Sequence, residues 1–251
     1  MDIPLPLDKI SFQVIDQVVP TDVVAKKRTY VVLVSTGSFN PPTYMHLRMF
    51  ELARDALNSE GYVVIGAYMS PVNDAYKKKG LISAEHRIQL CELACQSSTF
   101  IMVDPWEAKQ SSYQRTLTVL DRIQGFLHEN RIQLVETLKV MLLCGSDLLE
   151  SFGIPGAWIR DQVRTICRDY GVVSIRREGQ DIDKIIDGDD ILFENKNNVI
   201  VVDELIPNKI SSTRVREIIK RRFSLKYLTA DGVIDYIDQH QLYRNEDELN
   251  S

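Results

Sequence analysis

Tyr30-Val31-Val32-Leu33-Val34-Ser35 leads, through Thr36, into Gly37-Ser38-Phe39-Asn40-Pro41-Pro42-Thr43-Tyr44-Met45-His46, and this passage decides the fold. The first run is short, apolar and β-branched, as in a strand buried on both faces of a parallel sheet. Beyond the motif, Met45, Met49, Phe50, Ala53 and Leu57 recur at three- and four-residue spacing, which predicts a helix. A strand, a Gly- and Pro-bearing turn and a helix start thus follow one another. Unpaired backbone N–H groups and the positive end of the helix dipole make such a junction an anion site. His46 falls on the first or second turn of the helix, where its ring can address whatever the loop holds. Gly37 allows a bulky ligand close to the backbone. A lone histidine in an ordinary connection would look similar, and the loop matches neither Gly-x-Gly-x-x-Gly nor a Gly-Lys-Ser/Thr ending.

Outward from this stretch the chain alternates. Strands are predicted at 62–69, 100–103, 140–144, 171–175 and 199–202, and helices at 84–96, 113–129, 157–169, 212–222 and 230–240. Alternation of this kind predicts an α/β fold, a Rossmann-like doubly wound parallel sheet with helices on both faces. Ligands of such sheets sit outside the carboxyl ends of the strands, where strand order reverses. Residues 178–190, rich in Asp and Gly, read as a surface loop. Residues 1–29 hold Pro4, Pro6, Pro20 and a short apolar segment, and read as an extension packing weakly on a domain of residues 30–243. A polar tail, 244–251, is expected to fray.

The 251 residues suffice for one full core, and 44% hydrophobic with 26% charged content is that of a globular protein. A net charge of −5 argues against wholesale nucleic-acid binding, so an anionic ligand needs local basic clusters. Cys91, Cys95, Cys144 and Cys167 lack zinc spacing, and Cys91 and Cys95, four apart on a helix, suit packing better than a disulfide. A reducing intracellular compartment, cytoplasm or nucleus, is the expectation. No stretch has transmembrane length, so no membrane partner is expected.

Several strand ends carry notable residues. Ser70-Pro71-Val72-Asn73-Asp74-Ala75-Tyr76-Lys77-Lys78-Lys79-Gly80 places three lysines where they can grip phosphate, or simply be solvated. In Gly145-Ser146-Asp147 the carboxylate suits ribose hydroxyls, and equally a helix N-cap. The strongest second signal is Asn208-Lys209-Ile210-Ser211-Ser212-Thr213-Arg214-Val215-Arg216. Its hydroxyls cluster at a helix start, and Arg214 and Arg216 oppose the macrodipole there, a cost that a bound anion relieves. Lys220, Arg221 and Arg222 beyond it read as an exposed basic face.

Taken together, Gly37-Ser38-Phe39-Asn40-Pro41 with Met45-His46, the Asp74-Ala75-Tyr76-Lys77-Lys78-Lys79-Gly80 run, Gly145-Ser146-Asp147-Leu148-Leu149-Glu150-Ser151-Phe152 and Ile210-Ser211-Ser212-Thr213 resemble the eukaryotic nicotinamide/nicotinic acid mononucleotide adenylyltransferases. The first motif is shared across the nucleotidyltransferase superfamily, whereas the second and third are specific to this branch. The superfamily often has a second His where Thr43 stands. The resemblance implies adenylyl transfer from ATP to nicotinamide or nicotinic acid mononucleotide, with magnesium held mainly through ATP phosphates, no protein metal ligands, and a homo-oligomer. It also implies roles. Gly37, Ser38, Phe39 and His46 would line the phosphates, and Tyr76, Lys78 and Lys79 would hold phosphates and the mononucleotide end. Gly145 and Asp147 would contact the adenosine ribose, Arg177 and Asn208 the nucleotide, and Thr213, Arg214, Val215 and Arg216 the triphosphate. Tyr113 and Trp158 would clamp the pyridine ring, beside Thr116 and Ala157, while Trp106 is expected to be structural. His46, Lys79 and Arg216 are the expected transition-state stabilisers. A relative adenylating pantetheine phosphate, or cytidylylating an alcohol phosphate, would keep the first loop without needing Tyr113 and Trp158. A non-catalytic nucleotide sensor would bind without releasing pyrophosphate.

Overall fold

The computed structural model describes residues 3–13, 28–130, 138–177, 179–206 and 208–244. Six parallel strands form one sheet in the order β3-β2-β1-β4-β5-β6: β1 (Thr29–Gly37), β2 (Tyr62–Pro71), β3 (Ile101–Val103), β4 (Leu138–Gly145), β5 (Val172–Ile175) and β6 (Val199–Val202). Nine α-helices lie among the described residues: α1 (Tyr44–Ser59), α2 (Ala84–Cys95), α3 (Thr116–Glu129), α4 (Ser146–Ser151), α5 (Arg160–Thr165, continued by a π-helical turn over Ile166–Tyr170), α6 (Ile182–Asp187), α7 (Asp190–Glu194), α8 (Ser212–Lys220) and α9 (Asp231–Gln239). Strand order reverses between β1 and β4, so a crevice opens at their carboxyl ends, the place the sequence reading points to.

The pleat explains why β1 is apolar throughout. Val32 and Val34 face one layer with Val140, Leu142, Leu120 and Ile123, while Val31 and Leu33 face the other with Phe50, Ala53, Met69 and Leu143. A third cluster joins α2, α8 and α9 through Leu90, Ala94, Val215, Ile219, Val233 and Ile237. It fastens the C-terminal helices beside the crevice. The four cysteines are free and buried, in keeping with packing roles.

Four expectations need correcting. Residues 3–13 pack tightly: Leu5 and Ile10 are buried, Lys9 Nζ donates to the Cys95 carbonyl at 2.8 Å, and Ser11 N to the Ile65 carbonyl at 2.8 Å. Gly66 makes room for this, since a Cβ there would lie 2.3 Å from Ile10 Cδ1. Residues 14–29 of the extension are described only from 28 onward. Next, the loop expected at 178–190 contains α6 and the start of α7. Asp181 caps α6 through Lys184 N, and Asp189 caps α7 through Ile191 N and Leu192 N, while Ile182, Ile186, Ile191 and Leu192 are buried beneath.

The remaining two corrections concern helix starts. The helix predicted from 113 begins at Thr116, and the loop that precedes it is anchored by Asn73 Nδ2, which donates to the carbonyls of Glu107, Ala108 and Gln110. The helix predicted from 157 begins at Arg160, whose guanidinium reaches back to the Phe152 carbonyl and across to Asp189. Tyr113, Ala157 and Trp158 therefore sit on loops. The tail lies outside the described residues beyond Arg244.

Candidate active site

The turn after β1 is set by its own side chains. Phe39 has φ 42°, and the Asn40-Pro41 bond is cis. A Cβ at Gly37 would meet the Phe39 ring at 3.2 Å, so the close approach glycine permits here is that of Phe39. The Phe39 ring is buried in the core, edge-on to His46 with centroids 5.3 Å apart.

His46 occupies the first turn of α1, and Thr43 caps that helix. The Thr43 backbone N–H donates to His46 Nδ1 at 3.0 Å, with the Thr43 hydroxyl 2.8 Å from the same atom. Nδ1 thus accepts, and the ring proton of the neutral imidazole sits on Nε2. Burial, then Arg177, then Lys78, lower the His46 pKa from 6.5 to about 4. At neutral pH His46 is a neutral Nε2–H donor. The Thr43 backbone N–H fixes the tautomer.

The cations converge on the same crevice. Lys78 Nζ donates to Ser38 Oγ at 3.0 Å, and burial followed by the nearby Arg216 charge lowers its pKa. Arg216 Nη1 donates to the Asn40 carbonyl at 2.7 Å, and burial lowers its pKa as well. Ser211 caps α8 by accepting from Arg214 N at 3.3 Å, and Ser212 Oγ donates to the Pro41 carbonyl at 2.8 Å, docking that helix start on the first loop. Like charges drawn together this way are unfavourable until an anion arrives, which gives the crevice its electrostatic character. Thr213 and Arg214 are exposed at the same helix start. Val215 turns its side chain into the third cluster, so it can serve a ligand only through its backbone. Lys77, Lys78 and Lys79 are all exposed on the lysine loop, the Lys78 head turned onto Ser38.

At the end of β4, Arg177 pairs with Asp147, and Gln180 Nε2 donates to Asp147 Oδ1 at 2.9 Å. Arg177 Nε lies 3.6 Å from where a Gly145 Cβ would be. The Ser146 hydroxyl accepts from Arg177 N at 3.0 Å, so the carboxylate, the arginine and the strand end form one unit. Asn208 Oδ1 accepts from Ile210 N at 2.9 Å and shapes the approach to α8. Asn208 also lines a cavity of about 630 Å³ between α1 and this segment, with Arg48, Glu204 and Ile206.

The two aromatics of the expected clamp each rest on another ring. Tyr113 stacks on Tyr76, with centroids 6.0 Å apart and planes at 24°. Trp158 packs edge-on against Phe152, and its Nε1 donates to Ser151 Oγ at 2.9 Å. Ala157 is exposed beside it, and Thr116 is buried at the start of α3. Trp106 is partly buried against the core beneath Arg122, 5.1 Å from ring centroid to guanidinium carbon, a structural place as expected.

Sequence reasoning missed two supports. Arg87 is fully buried, donating to the carbonyls of Ile82, Ser38 and Val72 and to Asp74 Oδ1 at 2.9 Å, which ties the first loop to the lysine loop. Its position three residues before Leu90 and four before Cys91, on the apolar face of α2, was the available signal. Glu107, also buried, leaves Oε2 without a partner and accepts from Asn73 N–H; burial raises its pKa to about 8.

Residues 34–218 match the model of the Cytidylyltransferase-like family. The chain is 64% identical over 243 residues to the nicotinamide/nicotinic acid mononucleotide adenylyltransferase of Arabidopsis thaliana, covering 97% of this chain and 98% of the relative. It is 59% identical over 247 residues to the protein so named from Oryza sativa subsp. japonica, covering 98% and 96%. Among solved structures, the Plasmodium falciparum nicotinic acid mononucleotide adenylyltransferase complexed with NaAD superposes with a TM-score of 0.61 at 18% identity, over 85% of this chain and 97% of that one, a likeness of fold. With the fold, the phosphate-directed crevice and these identities in agreement, the chain belongs to the nicotinamide/nicotinic acid mononucleotide adenylyltransferases.

Proposed function

We propose that this chain transfers the adenylyl group of ATP to the 5′-phosphate of nicotinamide or nicotinic acid mononucleotide, as enzymes of its family are named for doing, in NAD biosynthesis. A phosphate oxygen of the mononucleotide attacks the α-phosphorus of ATP. The bond from that phosphorus to the α,β-bridging oxygen breaks, and pyrophosphate leaves with the electron pair. The observation that carries this reading is the convergence of Lys78, Arg216 and the neutral Nε2–H of His46 on one crevice at the sheet's switch point. Both reactants are anions, so this set acts by positioning and by neutralising charge as it moves toward pyrophosphate.

Within the proposal, Gly37, Ser38 and the Phe39 backbone line the phosphates, and Lys79 and Arg214 add charge from exposed positions. Asp147 accepts from the ribose hydroxyls, with Gly145, Arg177 and Asn208 around the nucleoside. Tyr113 leaves its stack on Tyr76 to meet the pyridine ring, with Trp158, Thr116 and Ala157 on that side. The donor set of the crevice is cationic and hydroxylic, and no cluster of three or more His, Cys, Asp or Glu among the described residues suits a metal. Such a site fits magnesium carried by the phosphate oxygens, where it would supply further charge neutralisation.

The reading extends to setting. Buried free thiols support an intracellular chain, in cytoplasm or nucleus, and among the described residues no helix is long and apolar enough to cross a membrane. Exposed Leu205, Ile206, Phe223 and Tyr227 support a homo-oligomer. The deciding experiment incubates the purified chain with ATP, magnesium and each mononucleotide and follows dinucleotide and pyrophosphate together. Equimolar appearance of both is expected, and binding without either product would leave only a nucleotide-binding protein.

A further inference from the structure

The phosphate loop is held from the far end of the chain. Tyr243 follows α9, its ring buried in the third cluster with Ile82, Leu90 and Val233, and its hydroxyl lies 2.9 Å from Asn40 Oδ1. Asn40 is fully buried, and its Nδ2 donates to the Gly80 carbonyl at 2.6 Å. That bond orients the amide, so its oxygen faces Tyr243 and the tyrosine hydroxyl is the donor. The only other donor to Oδ1 among the described contacts is Ile82 N, at 3.4 Å. The backbone carbonyl of Asn40 in turn receives Arg216 Nη1 at 2.7 Å. One asparagine therefore joins the first loop, the lysine loop, α8 and the turn beyond α9.

We propose that Tyr243 is a positioning residue of the ATP site, fixing Asn40 and, through its carbonyl, the guanidinium of Arg216. The inference rests on the reading of Arg216 as a triphosphate ligand. Without the hydroxyl, Asn40 Oδ1 keeps only the long bond from Ile82, and a buried amide oxygen seeks a better donor. The Arg216 fork already grips the backbone carbonyl of the same residue at 2.7 Å, which makes it the neighbouring donor that the vacated oxygen can draw on. Drawn inward, it is lost to the phosphates. Tyr243 needs no contact with either substrate to act this way.

The test is Tyr243→Phe, which keeps ring and volume in the apolar pocket and removes one oxygen. Melting curves, kcat and the KM for each substrate are measured on the intact chain, with ATP affinity by calorimetry. The expected result is a rise of about 3- to 10-fold in KM and Kd for ATP, the worth of one buried hydrogen bond. The mononucleotide KM stays within about 2-fold. Combined with Arg216→Ala, the tyrosine change should add little further loss of ATP affinity, because the two act in series. Unchanged ATP constants with a lowered Tm would assign Tyr243 a structural role and overturn the proposal, as would equal losses for both substrates. Should the parental chain make no dinucleotide, the proposed function fails, yet ATP affinity of Tyr243→Phe still decides the positioning role. A parental chain that does not bind ATP overturns both.

Discussion

The two halves of the candidate site are built in opposite ways. On the phosphate side, Ser38, Asn40, His46, Lys78 and Arg216 are already joined by hydrogen bonds or held in mutual electrostatic contact. On the ring side, Tyr113 and Tyr76 are each 41% exposed, stacked on one another, and carried on loops. Charged groups must be fixed in advance to neutralise a transition state, because reorganising them at the moment of reaction would cost the advantage. A stacking surface gains most of its energy from area alone and tolerates movement. On the proposed function, the crevice is preorganised where charge would move and loose where a flat ring would only have to be covered.

The largest effect should come from the fixed half. His46→Ala removes the neutral imidazole donor and is expected to lower kcat by ~100-fold or more, with a much smaller change in the mononucleotide KM. Its pKa of about 4 also means that no histidine limb from His46 appears near pH 6.5 in kcat/KM of the parental chain. A folded variant with near-parental kcat would remove His46 from the chemistry. Arg216→Ala should weaken ATP by roughly 1.5–3 kcal/mol, the worth of a charge-assisted contact, while NAD, lacking a γ-phosphate, loses less. Equal losses for ATP and NAD in calorimetric titrations would move Arg216 away from the β- and γ-phosphates.

Glu107 sharpens the contrast from beneath the loose half, where it adjoins Asn73 and the electrostatic surroundings of Tyr113. Arg87 opposes the rise of its pKa and Asp104 reinforces it, but burial prevails, and the carboxyl titrates at about 8 against 4.5 when unfolded. Between those values the folded chain binds a proton that the unfolded chain has released, so stability falls as pH rises through this window. Glu107→Gln, permanently neutral, should stabilise by ~2 kcal/mol at pH 9 and by little at pH 5. Equal Tm shifts at the two pH values would show that the carboxyl is not the source. The smallest effect expected is between substrates. If the ring side recognises mainly by stacking, kcat/KM for the two mononucleotides should agree to well within ~100-fold, and a larger preference would reveal a charged selector. Arg160 is not free for that task, being committed to Asp189 and Asp190.

This contrast also sorts what the sequence disclosed. The sheet, its order-reversing crevice and the basic loops gathered at it were legible because strand runs and helix periodicity are local patterns, and because arginine at a helix start is a local conflict. Tyr113 and Arg115 were placed on one helix because the apolar spacing of α3 runs on from them. The helix starts only at Thr116, after a loop that the side-chain amide of Asn73, far away in sequence, anchors through three carbonyls. The short α6 and α7 were hidden by an Asp- and Gly-rich composition, although the capping Asp181 and Asp189 are part of that same composition. Buried supports such as Asn40 and Arg87 join segments about forty residues apart or more, and periodicity carries no trace of them.

The sheet has one further consequence, which follows from its outline. It tapers from the ten residues of β2 and nine of β1 at the middle to three residues in β3 and four in β6 at its margins. A margin so short presents few unpaired backbone groups to another chain. Growth of the sheet from molecule to molecule is therefore disfavoured, and copies of this chain that associate must do so through helix and loop surfaces. The taper protects the concentrated protein against the ordered aggregation to which a long, flat strand edge would expose it.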